Sequence, residues 1–552
     1  MIKIYEMKSL DLEEIMALQK SPLLNVKKLN IKSNGGGDGI VRSLSFSVGA
    51  GEIVGIAGES GSGKSMTALS IMGLLPQDMV WDAEEVSLEG ERLCKKTEQE
   101  YEKLRGNEIA MIFQEPMTSL NPVQKIGKQV EEPLLLHGAF SKEERKSAAL
   151  EAMREAGLQN AEELLERYSH ELSGGQRQRV MIAMAMIGKP KLLIADEPTT
   201  ALDAKTEEQI LSLLKTLSQT HNMAVLFISH NLHAVRQLCE RVLIMKDGEL
   251  VEEGSTETIF TQPKEDYTKR LLASIPTGEK PEEEKQVRGE MLLEVEHLSV
   301  YYRQAIGKNL MRNFFGKKKF KTKESEDVTP GFGKQPKQQK KPFDFVQKQE
   351  NIKTNRKQVI FDSSFSIYEG EIVGLVGESG NGKTTLIKTI AGFHELYDGV
   401  IRWNPKGVKM QMVFQDPYSS LNPAKKIGWL LEEPLRLQTK LKAAERKQQA
   451  LQMLAEVELP AEYYDRYISE LSGGQRQRVA IAVALIQKPQ LVLLDEPVSA
   501  LDVTVQAQIL ALLLRLQKEH RLTYLFISHD QNVIRRLCDR VLEMQNGTII
   551  SS

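Results

Sequence analysis

Short runs of consecutive apolar residues recur along the chain, and each ends in a glycine loop or a polar side chain. The runs IVGIA and IVGLV lead into glycine loops and then into the helix-like segments MTALSIMGLL and TLIKTIAGF. The runs LLIAD and LVLLD end in carboxylates, and AVLFIS and TYLFIS end beside a histidine. Short apolar runs rich in β-branched residues predict strands, and continuous rather than alternating apolar strands suit a sheet covered on both faces. The pattern therefore predicts an α/β fold.

This order of elements occurs twice. The decapeptide ELSGGQRQRV begins at Glu171 and again at Glu470, and from there onward matching motifs keep a constant offset of 299 residues. Such self-similarity indicates duplicated domains. Upstream of the decapeptide the copies differ in length, because the segment from Lys64 to Gln114 spans 50 residues and its counterpart in the second copy spans 32. The second copy is therefore expected to lack material after its first helix.

The duplication sets the predicted domain boundaries. They are an N-terminal extension at 1–21, a first domain at 22–276, a linker at 277–290, and a second domain at 291–552 with an insertion at 303–357. Within each copy, one stretch is rich in Lys, Glu and Ala and predicts an inserted helical subdomain. These stretches are Glu115 to Glu171 and Asp416 to Glu470.

The composition narrows the class of protein. The 552 residues are 41% hydrophobic and 27% charged, and the net charge of -2 argues against a general nucleic-acid binder. The three cysteines form no CxxC pair and predict no metal site. The first residues carry acids where a signal peptide needs an apolar core, and no window approaches 18 uninterrupted apolar residues. We expect that the chain does not cross a membrane by itself.

Each copy contains the phosphate-binding sequence GxxxxGK[ST] between a predicted strand and a predicted helix. Its glycines let backbone N–H groups surround phosphates, its lysine reaches the β and γ oxygens of a nucleotide, and its hydroxyl ligates Mg²⁺. A single match is moderately specific, and two matches in this context indicate ATP binding. The predicted nucleotide-binding residues of the two loops are Gly58, Glu59, Ser60, Gly61, Ser62, Gly63, Lys64, Ser65 and Met66, and Gly377, Glu378, Ser379, Gly380, Asn381, Gly382, Lys383, Thr384 and Thr385.

A carboxylate pair follows another predicted strand in each copy. Asp196 and Asp495 end their strands, where they can support the metal ion, and the adjacent Glu197 and Glu496 can polarise an attacking water. Alone, such a pair is usually a solvated strand end. The phosphate-binding loop upstream makes the catalytic interpretation the better one.

The motifs of each copy, taken together, resemble those of the ATP-binding-cassette ATPases. These motifs are the phosphate loop, LSGGQ, the strand ending in DE, ALD and the later SH. The resemblance occurs twice and covers nearly the whole chain. The resemblance implies two cassettes, each with a RecA-like core, an antiparallel β subdomain and a helical subdomain. It also implies a head-to-tail pair, in which ATP on one phosphate loop is closed over by the LSGGQ signature of the other copy. A signature that opens a helix would offer free N–H groups and a positive dipole end to phosphate.

The resemblance implies two composite sites that both hydrolyse ATP. The first would combine Lys64, Ser65, Gln114, Asp196, Glu197 and His230 with Ser472, Gly473, Gly474 and Gln475. The second would combine Lys383, Thr384, Gln415, Asp495, Glu496 and His529 with Ser173, Gly174, Gly175 and Gln176. The implied Mg²⁺ ligands are Ser65, Gln114 and Asp196 in the first site and Thr384, Gln415 and Asp495 in the second. His230 and His529 would contact the γ-phosphate, although a lone histidine after a strand is more often structural.

The phrases GESGSGKS, FQEPMTSLNP and FQDPYSSLNP resemble the ATPases of oligopeptide, dipeptide and nickel importers. This branch implies two integral-membrane permeases, an extracytoplasmic solute-binding protein and a position at the cytoplasmic face of the membrane. It implies no nucleic acid, and no homodimer is required because one chain carries both cassettes. The segments MTSLNPVQKIGKQVEEPL and YSSLNPAKKIGWLLEEPL would be permease-docking faces or ordinary subdomain surface. The alternative is a soluble tandem cassette acting on ribosomes or nucleic acid, which the short linker and the absence of zinc-type cysteine pairs disfavour.

Two further features distinguish the copies. The insertion at 303–357 holds 16 Lys or Arg against 5 Asp or Glu, so it is either a disordered solvated loop or a contact for anionic lipid. The family usually stacks an aromatic residue on adenine, and Tyr302 matches that place in the second copy, with Tyr301 as a near alternative. The first copy has Ser33 there and no aromatic residue from Asn25 to Leu44. The second site is therefore expected to bind ATP more tightly, unless Tyr302 only packs on its own strand.

Overall fold

The computed structural model describes residues 22–551 except 36–38, 139, 201, 276–277, 279, 281–288, 304–355, 379, 406, 500 and 529. The predicted extension at 1–21, most of the predicted linker and nearly all of the predicted insertion lie outside the described residues, and so do Ser379 and His529. Within the described ranges, every helix is too short or too polar to span a lipid bilayer.

The first copy alternates strands and helices as its sequence predicts. Its strands are β1 (Leu24–Ser33), β2 (Val41–Val48), β3 (Ile53–Ala57), β4 (Met79–Asp82), β5 (Glu85–Leu88), β6 (Glu91–Arg92), β7 (Ile109–Ile112), β8 (Leu192–Asp196), β9 (Ala224–Ile228), β10 (Arg241–Lys246) and β11 (Glu249–Ser255). Its helices are α1 (Lys64–Ile71), α2 (Glu98–Leu104), α3 (Pro116–Ser119), α4 (Ile126–His137), α5 (Lys142–Glu155), α6 (Ala161–Leu164), α7 (Gly174–Met186), α8 (Ala204–His221), α9 (Leu232–Leu238), α10 (Thr256–Thr261) and α11 (Asp266–Ala273).

The second copy repeats this order with fewer elements. Its strands are β12 (Met291–Arg303), β13 (Arg356–Tyr368), β14 (Ile372–Val376), β15 (Tyr397–Trp403), β16 (Met410–Val413), β17 (Leu491–Asp495), β18 (Thr523–Ile527), β19 (Arg540–Gln545) and β20 (Thr548–Ser551). Its helices are α12 (Lys383–Ile390), α13 (Pro417–Ser420), α14 (Ile427–Gln438), α15 (Ala443–Glu456), α16 (Gly473–Leu485), α17 (Val503–His520) and α18 (Gln531–Leu537).

Each copy is built on a six-stranded, mainly parallel sheet. The strand order is β11-β10-β3-β9-β8-β7 in the first copy and β16-β17-β18-β14-β19-β20 in the second. Successive residues of β3 enter two different cores, with Ile53 and Ala57 in one and Val54 and Ile56 in the other. The sheet is therefore covered on both faces, and the predicted α/β class is confirmed. Because carboxyl ends of parallel strands meet at one edge, the loops after β3, β8 and β9 lie together.

The antiparallel subdomains account for the difference in length between the copies. Among the described residues, the first contains β1, β2, β4, β5 and β6, whereas the second contains β12, β13 and β15. Between the helix that follows the phosphate loop and the next core strand, the first copy has β4, β5, β6 and α2, and the part of the second copy that the structure describes has β15. The second copy thus lacks the material that the sequence comparison predicted it to lack.

The helical subdomains lie where the sequence places them. Helices α3 to α6 separate β7 from the signature helix α7, and α13 to α15 separate β16 from α16. Buried side chains such as Ile126 and Met153 share one apolar core with the parallel sheet.

The predicted insertion at 303–357 is too wide at both ends. Arg303 pairs with Arg356, and Tyr302 pairs with Lys357, in the antiparallel ladder of β12 and β13. The flanks of the insertion are therefore ordinary strand, since backbone pairing outweighs the local polar composition. The remainder, 304–355, lies outside the described residues.

Candidate functional site: two phosphate-binding loops and their partner side chains

Both phosphate-binding loops are folded around their own lysine. Lys64 Nζ donates to the carbonyl oxygens of Gly58 at 2.9 Å and Glu59 at 2.7 Å. Lys383 Nζ donates in the same way to Gly377 at 2.7 Å and Glu378 at 3.0 Å. Burial lowers the pKa of Lys64, while the nearby Glu197 and Asp196 oppose that shift. The lysine thus sits in the backbone cradle that phosphate oxygens would enter.

The first glycine of each loop is required by close backbone approach. A Cβ at Gly58 would lie 2.1 Å from the carbonyl oxygen of Met245, and one at Gly377 would lie 2.4 Å from that of Met544. Both glycines have a positive φ, 154° and 153°. No side chain fits there without moving the strand that carries the contacted carbonyl.

A hydroxyl and a carboxylate meet beside each loop. Ser65 Oγ donates to Asp196 Oδ1 at 3.1 Å, and Thr384 Oγ1 donates to Asp495 Oδ1 at 3.2 Å. Burial raises the pKa of Asp196 to about 6, although the Ser65 hydrogen bond opposes the shift, and burial also raises the pKa of Asp495. A bound cation would stabilise the ionised form of such a buried carboxylate.

The side chains here supply hard oxygen donors, which suit Mg²⁺. Among the described residues, no group of three or more His, Cys, Asp or Glu side chains could hold a metal ion. A site made of one hydroxyl, one carboxylate and one amide oxygen fits Mg²⁺ instead, because this ion takes few protein ligands and completes its shell with substrate phosphates and water.

Glu197 is held by three side chains. Gln114 Nε2 donates to Glu197 Oε2 at 2.7 Å, Thr200 Oγ1 donates to the same oxygen at 3.1 Å, and His230 Nδ1 lies 2.9 Å from Glu197 Oε1. Burial would raise the pKa of Glu197, but the hydrogen bonds from His230 and Thr200, together with the charges of His230 and Lys64, lower it overall. The carboxylate is therefore kept ionised, as a general base must be.

The second copy repeats the glutamine–glutamate contact. Gln415 Nε2 donates to Glu496 Oε2 at 2.9 Å. His529 lies outside the described residues, so its predicted contact stays a prediction.

The two signatures open helices, as their sequence predicts. Helix α7 begins at Gly174, and Ser173 caps it by accepting from Gln176 N at 3.3 Å, while Gln176 Oε1 accepts from Ser173 N at 3.0 Å. Ser472 and Gln475 form the same reciprocal pair at the start of α16. Such a capping box leaves the other N–H groups of the first turn exposed to an anion.

The two copies face each other across the second phosphate loop. A cavity of about 250 Å³ is lined by Gly382, Lys383, Thr384, Gln415 and Glu496, and on the opposite side by Leu202 and Asp203 of the first copy. None of the four signature residues of the first copy is among the described residues that line it. One of them, Gly174, instead has the side chain of Leu202 of its own copy as a neighbour.

The relation is reciprocal at the first loop. Asp502, the counterpart of Asp203, is close enough to Lys64 for its charge to raise the pKa of that lysine, against the larger lowering by burial. Asp203 acts likewise on Lys383. Sequence reasoning assigned no role to these aspartates, although the repeated ALD motif marked their positions.

Tyr302 lies beside the second phosphate loop. Its hydroxyl is 3.2 Å from Thr385 Oγ1, its ring centroid is 4.6 Å from that of His394, and 42% of the residue is exposed. An exposed ring at the mouth of the loop is available for stacking. The sequence did not predict the contact between Tyr302 and His394, because the fold brings these two residues together. In the first copy Ser33 ends β1 and pairs with Met79.

A tyrosine from the C-terminal part of the first copy braces the first phosphate loop. Glu59 N donates to Tyr267 Oη at 3.4 Å, and Lys246 Nζ lies 5.2 Å from the centre of the tyrosine ring. Burial raises the pKa of Tyr267 to about 12. Tyr267 belongs to α11, and the sequence assigned it no role.

The sequence of this chain is similar to those of known proteins. The family model described as "ABC transporter" matches residues 41–200 and 360–499. The Escherichia coli (strain K12) protein named "Uncharacterized ABC transporter ATP-binding protein YejF" is 42% identical over 93% of this chain and 91% of its own length. The Salmonella paratyphi A protein named "Glutathione import ATP-binding protein GsiA" is 38% identical over 97% of this chain and 86% of its own.

A solved structure resembles the whole tandem arrangement. It is the complex of an archaeal ribosomal stalk protein with the archaeal ribosome recycling factor aABCE1, and the matched chain has a TM-score of 0.55. The likeness covers 91% of this chain and 86% of that chain at 22% sequence identity. At this identity the likeness concerns the fold alone.

Proposed function

The chain belongs to the ABC transporter family of ATPases, and from that premise we propose that it is the tandem ATP-hydrolysing subunit of an importer. The solute would be a peptide or a related small molecule, such as an opine or a metal chelate. The observation that carries the two-site part of the proposal is the mutual approach of the copies, in which Asp203 lies against the second phosphate loop and Asp502 near Lys64.

ATP binding would use the backbone cradles of both loops. Phosphate oxygens replace the loop carbonyls as partners of Lys64 and Lys383, and the loop N–H groups receive the remaining charge. Ser65, Asp196 and Gln114 would hold Mg²⁺ in the first site, and Thr384, Asp495 and Gln415 in the second. When bound, Mg²⁺ neutralises charge on the phosphate oxygens.

Hydrolysis would then depend on the glutamates. Glu197 orients the attacking water and accepts its proton, and His230 holds the carboxylate in position and reaches toward the γ-phosphate. Glu496 has the same role in the second site, with His529 beside it. Each signature would close over the opposite loop, with the N–H groups of Gly174 and Gly175, or of Gly473 and Gly474, directed at the phosphates.

The coupling to transport would take place on the helical subdomains. Large apolar side chains lie exposed there, with Val123 83%, Leu136 72% and Leu437 79% exposed. Exposed apolar side chains can contact a partner protein, and Val123 belongs to the segment in which the sequence predicts permease docking. We assign these side chains to contacts with two permeases at the cytoplasmic face of the membrane, which would receive solute from an extracytoplasmic binding protein.

The relatives support import over action on ribosomes. Glutathione import is the activity in the name of a relative that is 38% identical over 97% of this chain. The ribosome recycling factor shares only the fold at 22% identity. A small peptide is therefore our first choice of solute class.

The test is to isolate the tagged full chain from membranes and to identify the proteins that come with it. We expect two permeases, ATP hydrolysis by the purified complex, and uptake of a labelled tripeptide into vesicles that requires the solute-binding protein. Loss of both hydrolysis and uptake in a Glu197→Gln, Glu496→Gln double variant would support the assignment. Recovery of ribosomes without permeases would overturn it, as would absence of ATP hydrolysis in the wild-type complex.

A further inference from the structure

One ion pair joins the two copies and has no equivalent by pseudo-symmetry. Lys205 Nζ of the first copy lies 2.9 Å from Glu378 Oε1, in the second phosphate loop. The residue that corresponds to Lys205 is Thr504, and its hydroxyl is buried without a hydrogen-bond partner among the described residues. A threonine carries no charge to offer to Glu59, the counterpart of Glu378. The first copy therefore forms an ion pair with the second phosphate loop, and the second copy has no lysine at the matching position to pair with the first loop.

Lys205 is fixed to the start of helix α8. Asp203 caps this helix by accepting from Thr206 N at 3.0 Å, and it also lines the cavity of the second phosphate loop. Lys205 is the second residue of the helix, so its backbone position follows any movement of the first turn. An attraction on the Lys205 ammonium group therefore acts on the first turn of helix α8.

The same first turn is tied to the catalytic loops of the first site. Glu207 Oε1 accepts from Thr199 Oγ1 at 2.9 Å and from Asn231 Nδ2 at 2.8 Å. Thr199 lies two residues after Glu197, and Asn231 directly follows His230. Glu207 therefore joins the loop of the base to the loop of the histidine.

The second copy does not carry these groups. The counterparts of Thr199, Glu207 and Asn231 are Val498, Gln506 and Asp530. Valine has no hydroxyl to donate, and an aspartate cannot donate to its partner as Asn231 does. The hydrogen-bonded link from the helix to the loop of the base is thus particular to the first site.

We propose that Lys205 is a positioning residue through which nucleotide on the second phosphate loop sets the turnover of the first site. The inference rests on the proposed ATPase function and deepens it. Phosphate on the second loop adds negative charge beside Glu378 and strengthens the attraction for Lys205. The first turn of helix α8 is thereby held in place. Its Glu207 then keeps the loops of Glu197 and His230 in their catalytic positions through its hydrogen bonds.

The experiment separates the two sites within the full chain. In a Glu496→Gln background the second site binds ATP without turning it over, so the measured rate is that of the first site. Here Lys205→Ala is expected to lower kcat about two- to fivefold, the range expected for one exposed ion pair. In a Glu197→Gln background the rate is that of the second site, where the same variant should raise KM and leave kcat unchanged.

Three further variants distinguish positioning from a general structural effect. Lys205→Arg should restore the first-site kcat, and Lys205→Glu should recover part of it when combined with Glu378→Lys. Thr504→Ala is the matched control and should change neither site. The loss in Lys205→Ala should also shrink at about 1 M salt, where the attraction is screened within a few ångströms.

Either of two outcomes would overturn the inference. One is an unchanged first-site kcat in Lys205→Ala, and the other is a loss in Lys205→Arg or in Thr504→Ala as large as the loss in Lys205→Ala. Both outcomes leave the proposed function standing, because they require an active wild-type enzyme. Absence of ATP hydrolysis in the wild type would instead overturn the proposed function.

Discussion

At the scale of single residues, the two candidate bases share an uncommon backbone conformation. Glu197 and Glu496 have φ values of 48° and 47°, in the left-handed region that non-glycine residues rarely adopt. The backbone of Glu197 is held there because its N–H donates to Ile228 O at 2.8 Å. Strain of this kind, of order 1–3 kcal/mol, persists where the surroundings enforce it and clusters at functional sites.

The first prediction concerns these bases. Replacing Glu197 by Gln keeps the size of the side chain but removes the group that accepts a proton from water. We expect ATP to remain bound while hydrolysis at that site slows by roughly 10² to 10⁴. Nucleotide affinity and single-turnover rates would be measured for Glu197→Gln and Glu496→Gln, each of which should also lose transport. Normal transport by either variant would show that its site is regulatory.

The second prediction concerns adenine. Tyr302→Ala should weaken ATP binding at the second site several-fold, since stacking a base on an aromatic ring contributes on the order of 1 kcal/mol. Affinity would be measured in Lys64→Ala, which reports the second site, and in Lys383→Ala, which reports the first. The second site should bind more tightly. Equal affinities in the two lysine variants, or no loss on removing Tyr302, would contradict the asymmetry.

The sequence predicts some of these residues and not others, for a physical reason. The phosphate loop and the DE pair are short segments whose chemistry is local, so their spacing alone identifies them. Tyr267 and Glu59 lie 208 positions apart, and Tyr302 in β12 meets His394 in the loop before β15. Such contacts depend on packing, which no local pattern encodes.

At the scale of elements, each signature helix packs closely on the helix that follows the ALD turn. A Cβ at Gly474 would lie 2.3 Å from Val505 Cγ1, whereas one at Gly473 would lie 3.5 Å from Leu501, an ordinary contact. In the first copy the corresponding approach is 2.8 Å, from Gly175 to Thr206 Cγ2. The second glycine of each signature therefore has a packing role in addition to its expected contact with phosphate.

The third prediction uses this difference. Gly474→Ala should push α16 away from α17 at a cost of about 1–3 kcal/mol, and should lower both the unfolding temperature and ATP hydrolysis. Gly473→Ala adds the same methyl group at an ordinary van der Waals distance and serves as the control. Its unfolding temperature should be unchanged. Both would be measured by thermal unfolding and ATPase assay of the full chain. Equal unfolding temperatures for the two variants would contradict the packing role.

Element types are predictable here because local sequence and tertiary packing agree. The apolar runs became buried strands, and Ser173 and Ser472 cap helices as their sequence predicts. The ends of the insertion were missed because Arg356 and Lys357 look like loop residues. Pairing with β12 nevertheless makes them strand.

At the scale of the whole molecule, duplication gives two similar sites with different surroundings. The first phosphate loop is braced within its own copy by Tyr267, and the second is braced from the other copy by Lys205. Separation of the copies would remove the second brace and leave the first. Fusion of both copies in one chain keeps them at high effective concentration, so the second brace can persist.

A residue of the predicted linker forms a buried ion pair with the second copy. Lys280 Nζ lies 2.6 Å from Asp539 Oδ1, and the side chains are 5% and 7% exposed. Lys280 N also donates to Arg535 O at 2.9 Å, and Asp539 Oδ2 accepts from Ile372 N at 2.7 Å, at the start of the strand that leads to the second phosphate loop. A residue of the predicted linker is therefore part of the second cassette.

The last prediction tests this ion pair. Lys280→Met keeps the length of the side chain but leaves the Asp539 carboxylate buried without its cation. Breaking one side of a buried pair is strongly destabilising, so we expect the free energy of unfolding of the second copy to fall by on the order of 3 kcal/mol. Lys269→Met is the matched control, because its pair with Asp266 is exposed, with 52% and 91% of the side chains accessible, and such pairs contribute little. Denaturant unfolding of both variants, followed by the fluorescence of Trp403 and Trp429 of the second copy in a Trp81→Phe background, would decide. If both lysine variants unfold at the same denaturant concentration, the linker does not stabilise the second copy, and fusion acts only by keeping the two cassettes close together.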